Sequence, residues 1–273
     1  MKQPARALVE GAQSIFTQAD GLFEPTEHAR GPWDPRALHG GAPAALLARA
    51  FEHTEPGEEL PVAQMRVEFL KPIPFAPFSL HTEIVRNGRR VQELTGELRA
   101  DEELVCRARA LRIQPVPTGL PSAGPEPAPA LAGPEQGESV EYALNREMVG
   151  VESFAVTGME MRWLNTPWAL GPGRVWMRLR LPLLPGEEPS PLVRLLATAD
   201  FPNGVGAELP FDRYLFINAD LSIHLWRQPR GEWIGLDART YLPEGGMGAS
   251  ESVIHDVDGP VGRGFQALVV QPR

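Results

Sequence analysis

The sequence predicts an α+β protein built from two similar halves, each an antiparallel sheet wrapped around one central helix. Three observations lead there. A proline-rich stretch divides the chain, with seven prolines between Gln114 and Gly137 that prevent a helix or a central strand. The order of elements before it recurs after it at an offset of about 150 positions. The strand candidates follow one another directly, without the strand–helix–strand alternation of a parallel sheet. These mark a front half, residues 1–114, a linker, 115–139, and a back half, 140–273.

In the front half the first element is a helix, Gly41–His53. Pro43 is tolerated near its start, where the N–H groups lack intrahelical partners, and Ala42, Ala45, Leu46 and Ala50 give a small-residue face. Val62 to Leu70 then alternates, with Met65, Val67 and Phe69 on one side and Gln64, Arg66 and Glu68 on the other. Strands at 78–86 and 91–99 flank Asn87-Gly88, a hairpin signal because both residues accept positive φ. A strand at 104–113 follows the acidic turn 100–103.

In the back half, strands are expected at 154–163 and 174–183, before a helix at 189–200 that ends at Asn203-Gly204. Four more strands, at 214–227, 232–242, 249–255 and 261–270, complete the copy.

Composition narrows the function. The chain has 273 residues, and an apolar fraction of 42% supports a buried core. Thirty-five acidic against 26 basic side chains give a net charge of −9, which argues against a nucleic-acid partner. One cysteine, Cys106, allows neither a disulfide framework nor a thiolate zinc site and suits a reducing, cytoplasmic setting. No stretch reads as a signal peptide or a membrane span. The serine-hydrolase elbow, the zinc-protease helix and the phosphate-binding glycine loops are all missing, so no metal or cofactor is expected.

Three places carry candidate chemistry. Trp33 to Pro43 brings Gly40 and Gly41 to the start of the front helix, where backbone N–H groups can meet developing negative charge; a plain tight loop fits equally. His39 beside them reads more readily as structural. Asp200 lies on the flank of the apolar stripe of the back helix, a partly desolvated setting for a base, though it could also reach solvent. Asn218 and Gln266 are polar residues within apolar strands; the face of Asn218 is expected to continue through Asp220, Ser222 and His224.

At these residues the chain resembles the acyl-CoA thioesterase II type, the double-hotdog thioesterases. The resemblance rests on His39-Gly40-Gly41 opening a small-residue helix, the strand Gln64 to Lys71, Glu232 to Thr240, and the segments around Asp200, Asn218 and Gln266. It implies two tandem hotdog repeats and hydrolysis of acyl-CoA by water. In that family an aspartate, a hydroxyl residue and a glutamine hold the water. By position these fall on Asp200, Asn218 and Gln266, so an amide replaces the hydroxyl. Gly40 and Gly41 would serve the oxyanion, in one site per chain. The resemblance implies an acyl-CoA ligand, with a homodimer or larger homo-oligomer expected. Alternatives are a non-catalytic acyl-CoA binding module and a hydratase using Asp220 and His224. Trp163, Trp168, Trp176, Met159, Met161 and Met177 could line an acyl tunnel or simply fill the core.

Overall fold

A computed structural model describes residues 14–55, 60–115, 119, 124, 128–140 and 152–273. A small hairpin, β1 (Phe16–Ala19) and β2 (Leu22–Pro25), precedes helix α1 (Gly41–His53). Every residue from Gly41 to Ala48 is buried, as is Phe51, so α1 is covered on nearly all sides and occupies the interior. Around it run β3 (Val62–Phe69), β4 (Ser79–Asn87), β5 (Val91–Ala100) and β6 (Glu103–Ile113). Strand β5 alternates strictly, turning Leu94, Gly96 and Leu98 inward. A Cβ on Gly96 would lie 2.8 Å from Leu47 Cδ2 and 3.1 Å from Phe51 Cζ. The sheet therefore approaches the helix as closely as a backbone can.

The back half contributes β7 (Glu138–Ser139), β8 (Met159–Trp163), β9 (Gly173–Leu179), α2 (Pro191–Thr198) and α3 (Pro202–Val205). Strands β10 (Tyr214–Asn218), β11 (Asp220–Leu225), β12 (Ile234–Tyr241), β13 (Met247–Asp256) and β14 (Gly259–Pro272) complete it. Ser190 caps α2 by accepting a hydrogen bond from Val193 N, and Pro191 follows where a missing N–H costs nothing. One 12-stranded antiparallel sheet runs β4-β5-β6-β3-β11-β14-β13-β12-β9-β8-β7, with β10 also paired to β14. The two halves join at β3 and β11, from Gln64 opposite His224 to Glu68 opposite Asp220. The architecture is the α+β hotdog arrangement.

The helices pack against each other in opposite directions. At one end Gly41 presses on Ala197 O, which a Cβ would approach to 2.5 Å. At the other, Ser190 Oγ donates to Glu52 Oε2 at 2.6 Å, and Arg49 pairs with Glu187.

Three local differences from the expected elements matter. Residues 154–158 form a π-helical turn rather than the first half of a strand. Ser153 accepts from Val156 N, and Thr157 donates back to Ser153 O, so side-chain bonds hold the turn closed. The expected strand 214–227 is broken at Ala219. Asn218 faces Leu268 of β14, whereas Ser222 faces Phe265, a one-residue shift in register. Phe216 is thus buried on one parity and Leu221 and Ile223 on the other. Asp220, Ser222 and His224 consequently turn to the outer face, and the face of Asn218 does not continue through them. Of the expected linker, residues 128–139 lie along the back half: β7 pairs with β8, and Trp176 Nε1 donates to Ala132 O. Most of its other residues lie outside the described ones.

Phe51 is fully buried where α1 meets β5. Phe51→Ala should lower unfolding stability by about 3–5 kcal/mol, read as a lower urea midpoint with an unchanged m value.

Candidate active site

The site forms where the start of α1 meets the end of α2. Helix α2 ends at Thr198, and Pro202, which has no N–H to donate, opens α3. Asp200 sits in the bend between them and is only 7% exposed. Gly40, the residue before α1, faces it directly: a Cβ there would be 2.8 Å from Asp200 Oδ2 and 2.7 Å from Phe69 Cζ. The glycine pair is thus needed for contact between the halves. At the start of α1 the Gly41 N–H meets His39 Nδ1 and the Ala42 N–H meets His39 O, each at 3.1 Å, so both donors lie at this junction with His39 as their acceptor.

A buried carboxylate needs donors; one side chain donates to it and a second lies against it. Asn218 Nδ2, at the inward end of β10, lies 2.6 Å from Asp200 Oδ1 and 3.2 Å from the Asp200 carbonyl oxygen. Both acceptors require the amide NH2 on that side. The other amide atom, Asn218 Oδ1, is buried without a partner among the described residues. The side chain against it is His39, whose Nδ1 lies 3.0 Å from Asp200 Oδ2 and accepts a hydrogen bond from Gly41 N at 3.1 Å. Its ring is stacked on Phe201 at 4.4 Å and lies 5.1 Å from Phe154, the first residue of the π-helical turn. Sequence reasoning assigned His39 a local structural role. Its signal was adjacency to Gly40, but only the fold places it against an aspartate 161 positions later.

Gln266 is brought to the same region without touching the carboxylate. It is 2% exposed on β14; its Oε1 accepts from Asn203 N at 3.1 Å, and its Nε2 donates to Ala199 O at 3.3 Å. These are the backbone groups on either side of the bend that carries Asp200. Gln266 therefore braces that bend and retains one acceptor and one donor position for another group.

Other groups are placed elsewhere. Asp220 and His224 face outward, with Asp220 3.3 Å from Arg66, which removes them as a pair for the hydratase reading at this site. Trp163, Trp176, Met159, Met161 and Met177 are buried at 3% exposure or less and fill the core. Cys106 is buried, and burial, with the negative charges of Asp200 and Glu68, pushes its thiol up, so it is no nucleophile. Among the described residues no three metal-ligating side chains stand together. Likewise, no helix is long and apolar enough to cross a membrane.

The opposite end of the helix pair is built differently. There Glu52, Ser190, Arg49 and Glu187 line a cavity of about 360 Å³. Burial raises the Glu52 carboxyl against the pull of its Ser190 hydrogen bond.

Comparison with known families decides what kind of protein carries this site. An acyl-CoA thioesterase N-terminal domain matches residues 29–113, and an acyl-CoA thioesterase C-terminal domain matches residues 123–270. The chain belongs to the acyl-CoA thioesterase family. It is accordingly a hydrolase. No curated protein matches it in sequence. Among solved structures, a conserved protein of unknown function with a hot dog fold from Alicyclobacillus acidocaldarius superposes with a TM-score of 0.73. It is 16% identical, over 95% of this chain and 96% of its own. An acyl-CoA thioesterase II from Mycobacterium marinum gives a TM-score of 0.63 at 16% identity, covering 90% of this chain and 98% of that one. At such identity these neighbours speak for the fold.

Asn218→Ala would leave a buried carboxylate oxygen without its donor. We expect a stability loss of about 1.5–3 kcal/mol, measured by chemical denaturation. The same substitution should cost much less in an Asp200→Asn background, since the charged partner is gone.

Proposed function

We propose that this protein hydrolyses an acyl-CoA thioester to the free acid and CoA, with Asp200 as the base that activates water. The observation that carries this reading is the Asp200 carboxylate, buried at the helix junction, held by Asn218 and lying against Gly40. Each carboxylate oxygen has more than one acceptor direction, so a water can still be bound beside the protein donors. In the proposed reaction Asp200 takes a proton from that water as its oxygen attacks the thioester carbon. Asn218 fixes the carboxylate. Gln266 fixes the bend and offers its remaining polar positions to the water. Gly40 and Gly41 N–H groups at the start of α1 stabilise the oxyanion. An amide in place of a hydroxyl suits this role, because its Nδ2 can donate to the carboxylate and to its backbone carbonyl at once.

A polyanionic CoA needs local cations that a net charge of −9 conceals. Arg273 lies over Trp33 at 5.5 Å, and Arg213 lies over the Tyr214 ring at 5.8 Å. Trp33 in turn meets Phe216, whose carbonyl accepts from Asn203. These guanidinium groups are the ones we assign to the nucleotide portion of the ligand.

We read residues 1–114 and 140–273 as the two repeats, with 115–139 between them, in a cytoplasmic homo-oligomer. A second copy has apolar surface to cover: Ile217, Val269 and Met247 form one cross-strand row on the outer face, at 42%, 51% and 76% exposure.

Thiol release across short, medium, long and aromatic acyl-CoAs tests the activity. Asp200→Asn should reduce kcat by at least about 10²-fold while the protein stays folded. Undiminished turnover would remove Asp200 from the reaction. Thermal stabilisation by acyl-CoA without thiol release would instead make this a binding protein.

A further inference from the structure

His39 Nδ1 stands at two contacts that it cannot serve in the same way. Asp200 Oδ2 is 3.0 Å away, and the backbone N–H of Gly41 points at Nδ1 in hydrogen-bond geometry from 3.1 Å, so the resting structure has the Gly41 N–H engaged there. A ring nitrogen either carries a proton and donates, or is bare and accepts. If Nδ1 carries the proton, it donates to Asp200, and the Gly41 N–H is left for another acceptor. If Nδ1 is bare, the Gly41 N–H is consumed, and a lone pair faces the carboxylate. That second arrangement requires a proton on Asp200. It would have to sit on Oδ2, because Asn218 already donates to Oδ1. Asp200 would then be no base.

We propose that His39 is a positioning residue whose Nδ1 proton sets both parts of the site together. It aims the Asp200 carboxylate and releases the Gly41 N–H to the thioester oxygen. The role in turnover rests on the thioesterase reading above; the placement of the proton does not. The geometry is built for a fixed ring. His39 is 8% exposed, stacked on Phe201 and flanked by Phe154. Its backbone is held as well, with His39 N donating to Ala29 O and His39 O accepting from Ala42 N. Its other ring nitrogen, Nε2, has no hydrogen-bond partner among the described residues. Nothing in the protein therefore competes for the tautomer except the two groups at Nδ1.

The reaction balances with His39 keeping its proton throughout. Water forms a bond to the carbonyl carbon and yields one proton to Asp200. The carbonyl π pair moves to oxygen, where the Gly41 N–H meets it. When that pair returns, the carbon–sulfur bond breaks and Asp200 passes the proton to sulfur. The products are a carboxylic acid and a thiol.

The test joins spectroscopy to kinetics on the full chain. Nitrogen-15 NMR of histidine-labelled protein, with the His39 signals assigned by their loss in His39→Asn, should show Nδ1 protonated. In Asp200→Leu the proton should move to Nε2, with Nδ1 accepting from Gly41. His39→Phe keeps the aromatic stack without a donor and should lower kcat about 10²-fold with KM changed less than about threefold. His39→Asn, whose Nδ2 can stand where Nδ1 stood, should recover about tenfold of that loss. A bare Nδ1 in the wild-type protein would overturn the proposal, as would full turnover by a folded His39→Phe. A wild-type protein that hydrolyses no acyl-CoA would instead defeat the thioesterase reading, and the NMR result would still decide where the proton sits.

Discussion

The close approach of α1 to the end of α2 is the constraint on which the rest depends. Two glycines at the start of α1 have no room for a Cβ, one against Asp200 and the other against the Ala197 carbonyl. Widening this junction by a methyl group would separate the halves at the point where they share a buried charge. Desolvating a carboxylate costs several kcal/mol unless donors replace the lost water. The polar side chains around it come from both halves: His39 arrives with α1 and Asn218 with β10. Packing, polar satisfaction and candidate chemistry are therefore solved at one place.

The sheet contributes through an irregularity. A regular strand from Tyr214 to Leu225 could not turn Asn218 inward while also turning Leu221 and Ile223 inward, because side chains alternate at every residue. The register shift at Ala219 resolves that conflict. It lets β10 bring an amide to Asp200 and then lets β11 continue as an apolar partner for β3 at the seam. Ala219 keeps its own bonds, donating to Ala267 O and accepting from Phe69 N. The bulge costs little backbone hydrogen bonding and gains one polar contact.

What could be read from the sequence follows from how local each signal is. Helix α1 and strands β3 to β6 follow from short-range pattern, and their observed ends fall within a residue of those expected, whereas the β1–β2 hairpin before α1 was not anticipated. The bulge at Ala219 was not legible, since no glycine or proline marks it and an apolar alternation passes through it. The π-helical turn at Phe154–Gly158 was hidden for a related reason: its Ser153 and Thr157 bonds also fit an ordinary polar strand end. Asp200, Asn218 and Gln266 could be picked out as polar residues in apolar settings. That Gln266 holds backbone on both sides of the bend, rather than the carboxylate itself, depends on a contact between residues 63 and 67 positions apart. His39 was the hardest to weigh, because its partner lies in the other half of the chain.

The helix pair has two ends, and they do not match. One holds Asp200, His39 and a glycine pair; the other holds Glu52, Ser190 and an Arg49–Glu187 ion pair around a small cavity. In an assembly of two identical chains related by a twofold axis, every substitution at one end is imposed on the other. Joining the repeats in one polypeptide lifts that coupling. Each end can then drift under its own selection, so one can be held to the geometry of a reaction while the other accumulates whatever packing and charge pairing best fasten the two halves together.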